Sequence, residues 1–192
     1  MRKLTVEDIV DHRAYERERA EFRARIIAMK KQRRIALGDL LTITFENTDT
    51  MRFQVQEMAR AERMLTDDAI AGEVATYNEL IPDEGELSGT LFVELTTDTL
   101  LREWLPKFVG IEHHVHVQVG DGPLVAGTPD DEERLTRADV TSTVHYLKFA
   151  FDELQRAQFA SGPVRIVVDH PEYAATAELT GEQRLELAAD LL

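Results

Sequence analysis

Residues 41–56 read LTITFENTDTMRFQVQ, and the spacing of the apolar residues in this stretch decides the fold class. Leu41, Ile43 and Phe45 alternate with Thr42, Thr44 and Glu46, and after Asn47-Thr48-Asp49 the residues Met51, Phe53 and Val55 alternate with Arg52, Gln54 and Gln56. A period of two sends neighbouring side chains to opposite faces, which predicts a β-hairpin with one polar face, turned at Asn47. The second strand is expected to run into a helix over residues 57–65.

Downstream, a second short helix is expected over 67–77, followed by the turn Ile81-Pro82-Asp83-Glu84-Gly85 and a strand over 86–96. A short helix over 98–104 stops before Pro106. A strand over 111–119 is turned by Asp121-Gly122 into a short strand at 123–126, and the polar connection 127–139 is expected to be a mobile loop. A strand over 143–151, a helix over 153–160, strands over 164–169 and 173–179 and a terminal helix over 181–192 complete the chain. Strands joined by hairpins pair antiparallel, and these helices do not alternate regularly with strands. The class is α+β: a mostly antiparallel sheet with a long N-terminal helix and several short helices.

Upstream of the hairpin no Pro or Gly occurs before Gly38. With Thr5 and Asp8 spaced as a capping box, residues 6–36 read as one helix, roughly 45 Å long. Acidic residues in its first turns (Glu7, Asp8, Asp11) and basic ones in its last (Lys30, Lys31, Arg33, Arg34) complement the helix dipole, although the basic run also suits an anion or partner site. Tyr15, Phe22, Ile26 and Met29 draw a narrow apolar stripe that needs a surface to cover it. The chain reads as a single domain, 1–192, with the charged helix in 1–37 and an α+β body in 38–192. A body of that size is about 30–35 Å across, shorter than the helix, so part of the rod is expected to overhang and form a homodimer.

Composition narrows the function classes. The chain of 192 residues has 36 acidic and 22 basic residues, a formal charge of -14, which works against binding to nucleic acid or to an anionic membrane. It contains no cysteine, which removes disulfides, thiolate zinc sites and cysteine nucleophiles. No run approaches the length of a membrane span and the first residues lack an apolar leader core, so the protein is expected to be cytoplasmic. The GxSxG, P-loop, GxGxxG and HExxH patterns are absent, so no reaction is announced by motif.

Three of the six histidines fall within residues 113–116, in IEHHVHVQV over 111–119. If the whole stretch is a strand, Glu112, His114 and His116 share one face, opposite Val115, Val117 and Val119. His-x-His on a strand, with a neighbouring carboxylate, can hold a divalent transition metal, given a further ligand from another strand. The alternative is that these are ordinary polar residues on the wet face of a sheet. His145 shares a face with Leu147, Phe149 and Phe151 and is expected to be buried and hydrogen-bonded, and His170 belongs to a hairpin corner. Glu46, Gln54, Gln56, Thr90 and Glu94 would extend the polar face if their strands were neighbours.

The segments FENTDTMRFQVQEMARAE, YNELIP, GELSGTLFVELT, REWLPKFVGIE, VHYLKF and DHPEY, in this order, with Tyr15, Glu16 and Arg19 on the N-terminal helix, resemble a family of uncharacterised bacterial proteins, a domain of unknown function. The resemblance covers nearly the whole chain and supplies no catalytic residue. It implies genes lying near those of rubrerythrin-like and iron–sulfur oxidoreductase-like proteins, and so a redox or peroxide-stress setting. Two readings follow. One is a cytoplasmic accessory protein that docks on a partner in a redox system or on itself. The other is a metal-binding protein or metalloenzyme using Glu112, His114 and His116.

Overall fold

In the computed structural model, which describes residues 1–130 and 139–191, the N-terminal rod is divided. A single 3-10 turn occupies Val6–Asp8, with the Asp8 carboxylate accepting from the Thr5 N–H at 2.8 Å. The chain then extends through Asp11, whose side chain caps helix α1 (His12–Arg33) by accepting from the N–H groups of Arg13 and Ala14. The helix is therefore about 33 Å long, and Arg34–Leu37 leaves it as strand β1. The stripe of Tyr15, Phe22 and Ile26 is buried. Met29, the fourth residue of the stripe, is partly buried beside them, and Phe53 and Val10 of the same chain cover the stripe, with the Phe22 and Phe53 rings edge-on at 5.5 Å. The overhang from which a homodimer was expected thus does not arise from this stripe.

Strand β2 (Leu41–Glu46) forms as its alternation requires. The second half of the hairpin does not. Asn47 is extended (φ -150°, ψ -177°); its side-chain oxygen accepts from the Thr50 N–H at 2.9 Å, while Thr50 Oγ1 accepts from the Asn47 N–H at 2.8 Å. That reciprocal pair starts a helix, and residues Thr48–Ala61 form α2. Met51, Val55 and Ala59, four residues apart, are its buried face. The two periods share the pair Met51 and Val55, since i and i+4 lie on one face of a strand and of a helix alike; the half-buried Phe53 separates them.

Helix α3 (Asp67–Asn78) follows, capped by Thr66. The remaining elements are β3 (Glu86–Val93), α4 (Asp98–Trp104), β4 (Val115–Val119), β5 (Leu124–Ala126), β6 (Thr128–Asp130), β7 (Val144–Ala150), α5 (Glu153–Phe159), β8 (Val164–His170), β9 (Tyr173–Glu178) and α6 (Gly181–Ala188). The mobile loop expected over 127–139 begins instead as β6, and residues 131–138 lie outside the described residues. Among the described residues, six α-helices and two antiparallel sheets make an α+β fold, and no helix is long and apolar enough to cross a membrane.

The first sheet has the order β1-β2-β3-β7-β6 and the second β5-β4-β8-β9. The chain passes from the second sheet to the first at Gly127, where a Cβ would sit 3.0 Å from the Phe149 ring and 3.1 Å from the Val115 carbonyl, so any other residue would push those neighbours back by a few tenths of an ångström. The inward faces, including Ile43, Phe45, Leu91, Val117, Phe149 and Ile166, form the main core. The other face of β2 is not wet. Thr42, Thr44, Glu46, Ser88 and Thr90 are all buried, Thr90 Oγ1 donates to Glu46 Oε1 at 3.2 Å, and Lys30 Nζ of α1 lies 3.6 Å from Glu46 Oε2.

Two arginines of α1 tie it to the body. Arg19 Nε and Nη2 donate to Glu57 Oε1 and Oε2 at 2.8 and 2.7 Å, and the Tyr15 hydroxyl donates to Glu57 Oε1 at 2.6 Å. At the other end Arg33 Nη1 and Nη2 donate to Asp190 at 2.7 and 2.8 Å, and Arg33 Nε donates to Glu186 at 2.9 Å. Glu57 is thus on the seam between α1 and α2, where strand alternation would have put it on an apolar face.

Candidate functional site

The histidine-rich stretch is a strand only from Val115. Gly110 takes a left-handed conformation (φ 88°) and Ile111–His113 form a 3-10 turn. Alternation therefore does not apply at residue 112, and the turn sends Glu112 and His114 in different directions. Glu112 goes inward, where both it and His145 of β7 are almost fully buried. Its Oε2 lies 3.8 Å from His145 Nδ1. His145 Nε2 is 3.1 Å from the Ser142 carbonyl and 3.0 Å from Thr141 Oγ1. Because a carbonyl only accepts, the proton sits on Nε2. Burial holds the imidazole below its ordinary pKa against the upward pull of Glu112. His145 is the hydrogen-bonded core histidine its position predicts.

His114 and His116 go outward and meet on a carboxylate that the local sequence does not suggest. His114 Nδ1 is 3.0 Å and His116 Nε2 is 3.1 Å from the same oxygen, Oδ1 of Asp169 on β8. The Asp169 N–H in turn donates to the His114 carbonyl at 3.1 Å. The two imidazoles, His114 first, hold the Asp169 carboxyl below the ordinary carboxylate range. His170 stands edge-on to His114 with ring centres 5.0 Å apart, its Nε2 donating to the Val109 carbonyl at 3.2 Å and its Nδ1 accepting from the Glu172 N–H at 3.2 Å. The structure thus brings together two of the three residues named as metal ligands and separates Glu112 from them.

Among the described residues no group of three or more histidines and carboxylates is arranged to hold a metal ion. The supporting contacts point the same way. A ligating imidazole ordinarily donates its second N–H to a fixed acceptor, whereas His116 Nδ1 is buried without a hydrogen-bond partner. As it stands, the His114–Asp169–His116 group is a clasp between β4 and β8.

Sequence reasoning missed two other features, at opposite ends of α1. At its C-terminal end a groove of about 470 Å³ runs between the helix and β1, lined by Ile27, Lys30, Lys31, Arg34, Ala36 and Thr42. Ile27 is 43% exposed there. Lys30 reaches Glu46 and Arg34 pairs with Glu94, while Arg33, one residue from Arg34, turns into the body. The basic run therefore does more than complement the dipole: it lines an apolar groove with cations. Beside the helix's other end, near His12, the α2–α3 connection presents Leu65, 84% exposed, between Glu62 and the exposed pair Asp67 and Asp68. Only Met64 and Leu65 are large and apolar among residues 60–68, RAERMLTDD, which was the available signal.

The architecture is found elsewhere. A crystal structure described as a novel protein of unknown function from Burkholderia pseudomallei K96243 superposes with a TM-score of 0.92 at 34% sequence identity, covering 100% of both chains. No match is found among curated proteins. The family model described as "Protein of unknown function (DUF3501)" matches residues 3–191. With that match spanning almost the whole sequence, the chain belongs to the DUF3501 family.

Proposed function

We propose that the protein is a cytoplasmic accessory protein that acts by docking, and that the groove between α1 and β1 receives an acidic segment with an apolar anchor. The observation that carries this reading is the collection of Lys30, Lys31 and Arg34 around Ile27 and Ala36 in a chain whose formal charge is -14. Cations at the rim steer an acidic segment and fix its orientation, while the apolar floor supplies the short-range attraction. In the redox setting implied by the resemblance, thiol chemistry would belong to the partner, because this chain has no cysteine. The test is a nuclear magnetic resonance titration of the full chain with a leucine-centred acidic peptide. The Ile27 methyl groups should shift, the shift should weaken with salt, and Lys31→Glu with Arg34→Glu should abolish it. A peptide that leaves Ile27 unmoved overturns the reading.

A second reading is favoured by the convergence of His114 and His116 on Asp169 Oδ1. Here His114, His116 and Asp169 would hold a divalent transition metal, Asp169 taking the place first given to Glu112, once their side chains open from the clasp, which is not itself arranged as a metal site. Two imidazoles and a carboxylate suit zinc or iron(II). Elemental analysis of protein purified without a histidine tag decides it. About one equivalent of metal, lost in His114→Ala, supports the reading, and metal retained in that variant rejects it.

A further inference from the structure

Leu65 is more exposed than any other large apolar residue in the described chain, at 84% against 66% for Leu154 and 64% for Leu185. A single exposed leucine is ordinary; this one is held in a specific way. Arg63 has φ +54°, a left-handed conformation unfavourable for a residue with a Cβ. The turn is closed by the Met64 N–H donating to the Ala59 carbonyl at 2.9 Å, and Thr66 then caps α3. The result is a tip with an apolar centre whose border carries three exposed carboxylates, Glu62, Asp67 and Asp68, against one exposed cation, Arg63, a net acidic rim. The groove at the other end of α1 has the complementary composition, an apolar floor and a rim of Lys30, Lys31 and Arg34, of which Lys30 and Arg34 already face Glu46 and Glu94.

We infer that the occupant of the groove is this tip on a second copy of the chain, with Leu65 seated beside Ile27 and the acidic border facing Lys31 and Arg34. The inference rests on the docking reading above and names its partner. A chain cannot serve its own groove, because Leu65 lines one cavity with His12, and Ile27 is fifteen residues further along α1, more than 20 Å by helix rise. Tip and groove have the same separation in every copy. A two-fold arrangement with the α1 helices antiparallel therefore lets both contacts form at once, a closed dimer in place of an open chain.

Sedimentation velocity on the full chain over a range of concentrations tests this, with thermal melts confirming that each variant is folded. The wild type should dimerise, more weakly as salt rises, and Leu65→Ser should weaken dimerisation about tenfold or more, as for a central apolar anchor. Asp67→Lys with Asp68→Lys, and separately Lys31→Glu with Arg34→Glu, should each give folded monomers. Mixed together, these two variants should associate again, since each basic tip now meets an acidic groove and each acidic tip a basic one. A wild type that stays monomeric at high concentration, or a mixture that stays monomeric, overturns the inference. If the wild type is monomeric while the leucine-centred acidic peptide still shifts Ile27, only the identity of the partner falls; if the peptide also fails, the docking reading falls with it.

Discussion

Helix α1 is fastened at both ends by an arginine gripping a carboxylate through two hydrogen bonds, yet the two carboxylates respond in opposite directions. Arg19 and Glu57 are 30% and 27% exposed. There the Arg19 hydrogen bond, helped by the Tyr15 hydroxyl, lowers the Glu57 carboxyl from 4.5 to about 2. Arg33 and Asp190 are each 2% exposed. Burial there pushes the Asp190 carboxyl up, outweighing the pull of Arg33. The hydrogen-bond distances are nearly the same, so the difference lies chiefly in how much water each pair keeps, with the neighbouring Glu186 adding to the upward push on Asp190. A partly wet pair stabilises charge, whereas a dry pair returns much of its attraction as lost hydration.

The largest expected effect comes from breaking the dry pair. Asp190→Ala leaves Arg33 buried with only Glu186 and should cost about 3 kcal/mol, seen in thermal unfolding as a fall of roughly 6–12 °C in Tm for a chain of this size. Replacing both partners, Arg33→Met with Asp190→Leu, should recover most of that loss, because it removes the desolvated charge together with its neighbour. A cost for Asp190→Ala no larger than about 1 kcal/mol, as for surface pairs, would erase the contrast between the two ends.

At the wetter end Glu57→Gln should cost about 1 kcal/mol, less than the usual about 1.5–3 kcal/mol for hydrogen bonds to charged groups because the pair keeps part of its water. The sign of its pH dependence is set by the lowered carboxyl. Its folded value, about 2, lies below the ordinary 4.5, so its stabilisation is complete above about pH 4.5 and is lost as the pH falls through 2. Denaturant unfolding of wild type and variant should therefore give curves that converge over that window. Parallel curves would show that Glu57 acts through shape rather than charge.

The smallest effect is expected at the third clasp, where Asp169 is 51% exposed. His114→Ala and His116→Ala should each change stability by no more than about 0.5 kcal/mol, as for surface positions. The Asp169 carboxyl should return upward toward 3.8 when its imidazole partners are removed, which a carboxylate titration by nuclear magnetic resonance can follow. A large loss of stability would instead make the clasp a main tie between β4 and β8.

Local signals were legible where one residue pattern admits one structure. The alternation over 41–46 is a strand, and the helices expected from residues 67 and 98 begin at Asp67 and Asp98. The 48–61 segment was misread because Met51 and Val55 satisfy both periods; the deciding pair was Asn47 with Thr50, a reciprocal cap. The extra turns assigned to the N-terminal helix were lost to Asp11, a capping residue inside the charged run.

What the sequence determined by itself was therefore the α+β class, the antiparallel strands, the apolar stripe of α1, the burial of His145 and the exclusion of thiol chemistry, because each depends on residue type and spacing over a few turns. The tertiary structure alone decided which surfaces meet. Asp169 stands 55 and 53 residues from the histidines it joins, and Asp190 stands 157 from Arg33. Gly110 turned Glu112 away from His114, and α2 covered the stripe that pointed to a dimer. Pairings of that span are chosen by the packing of whole elements, where one apolar face will accept any partner of matching shape, and no local spacing records which one it takes.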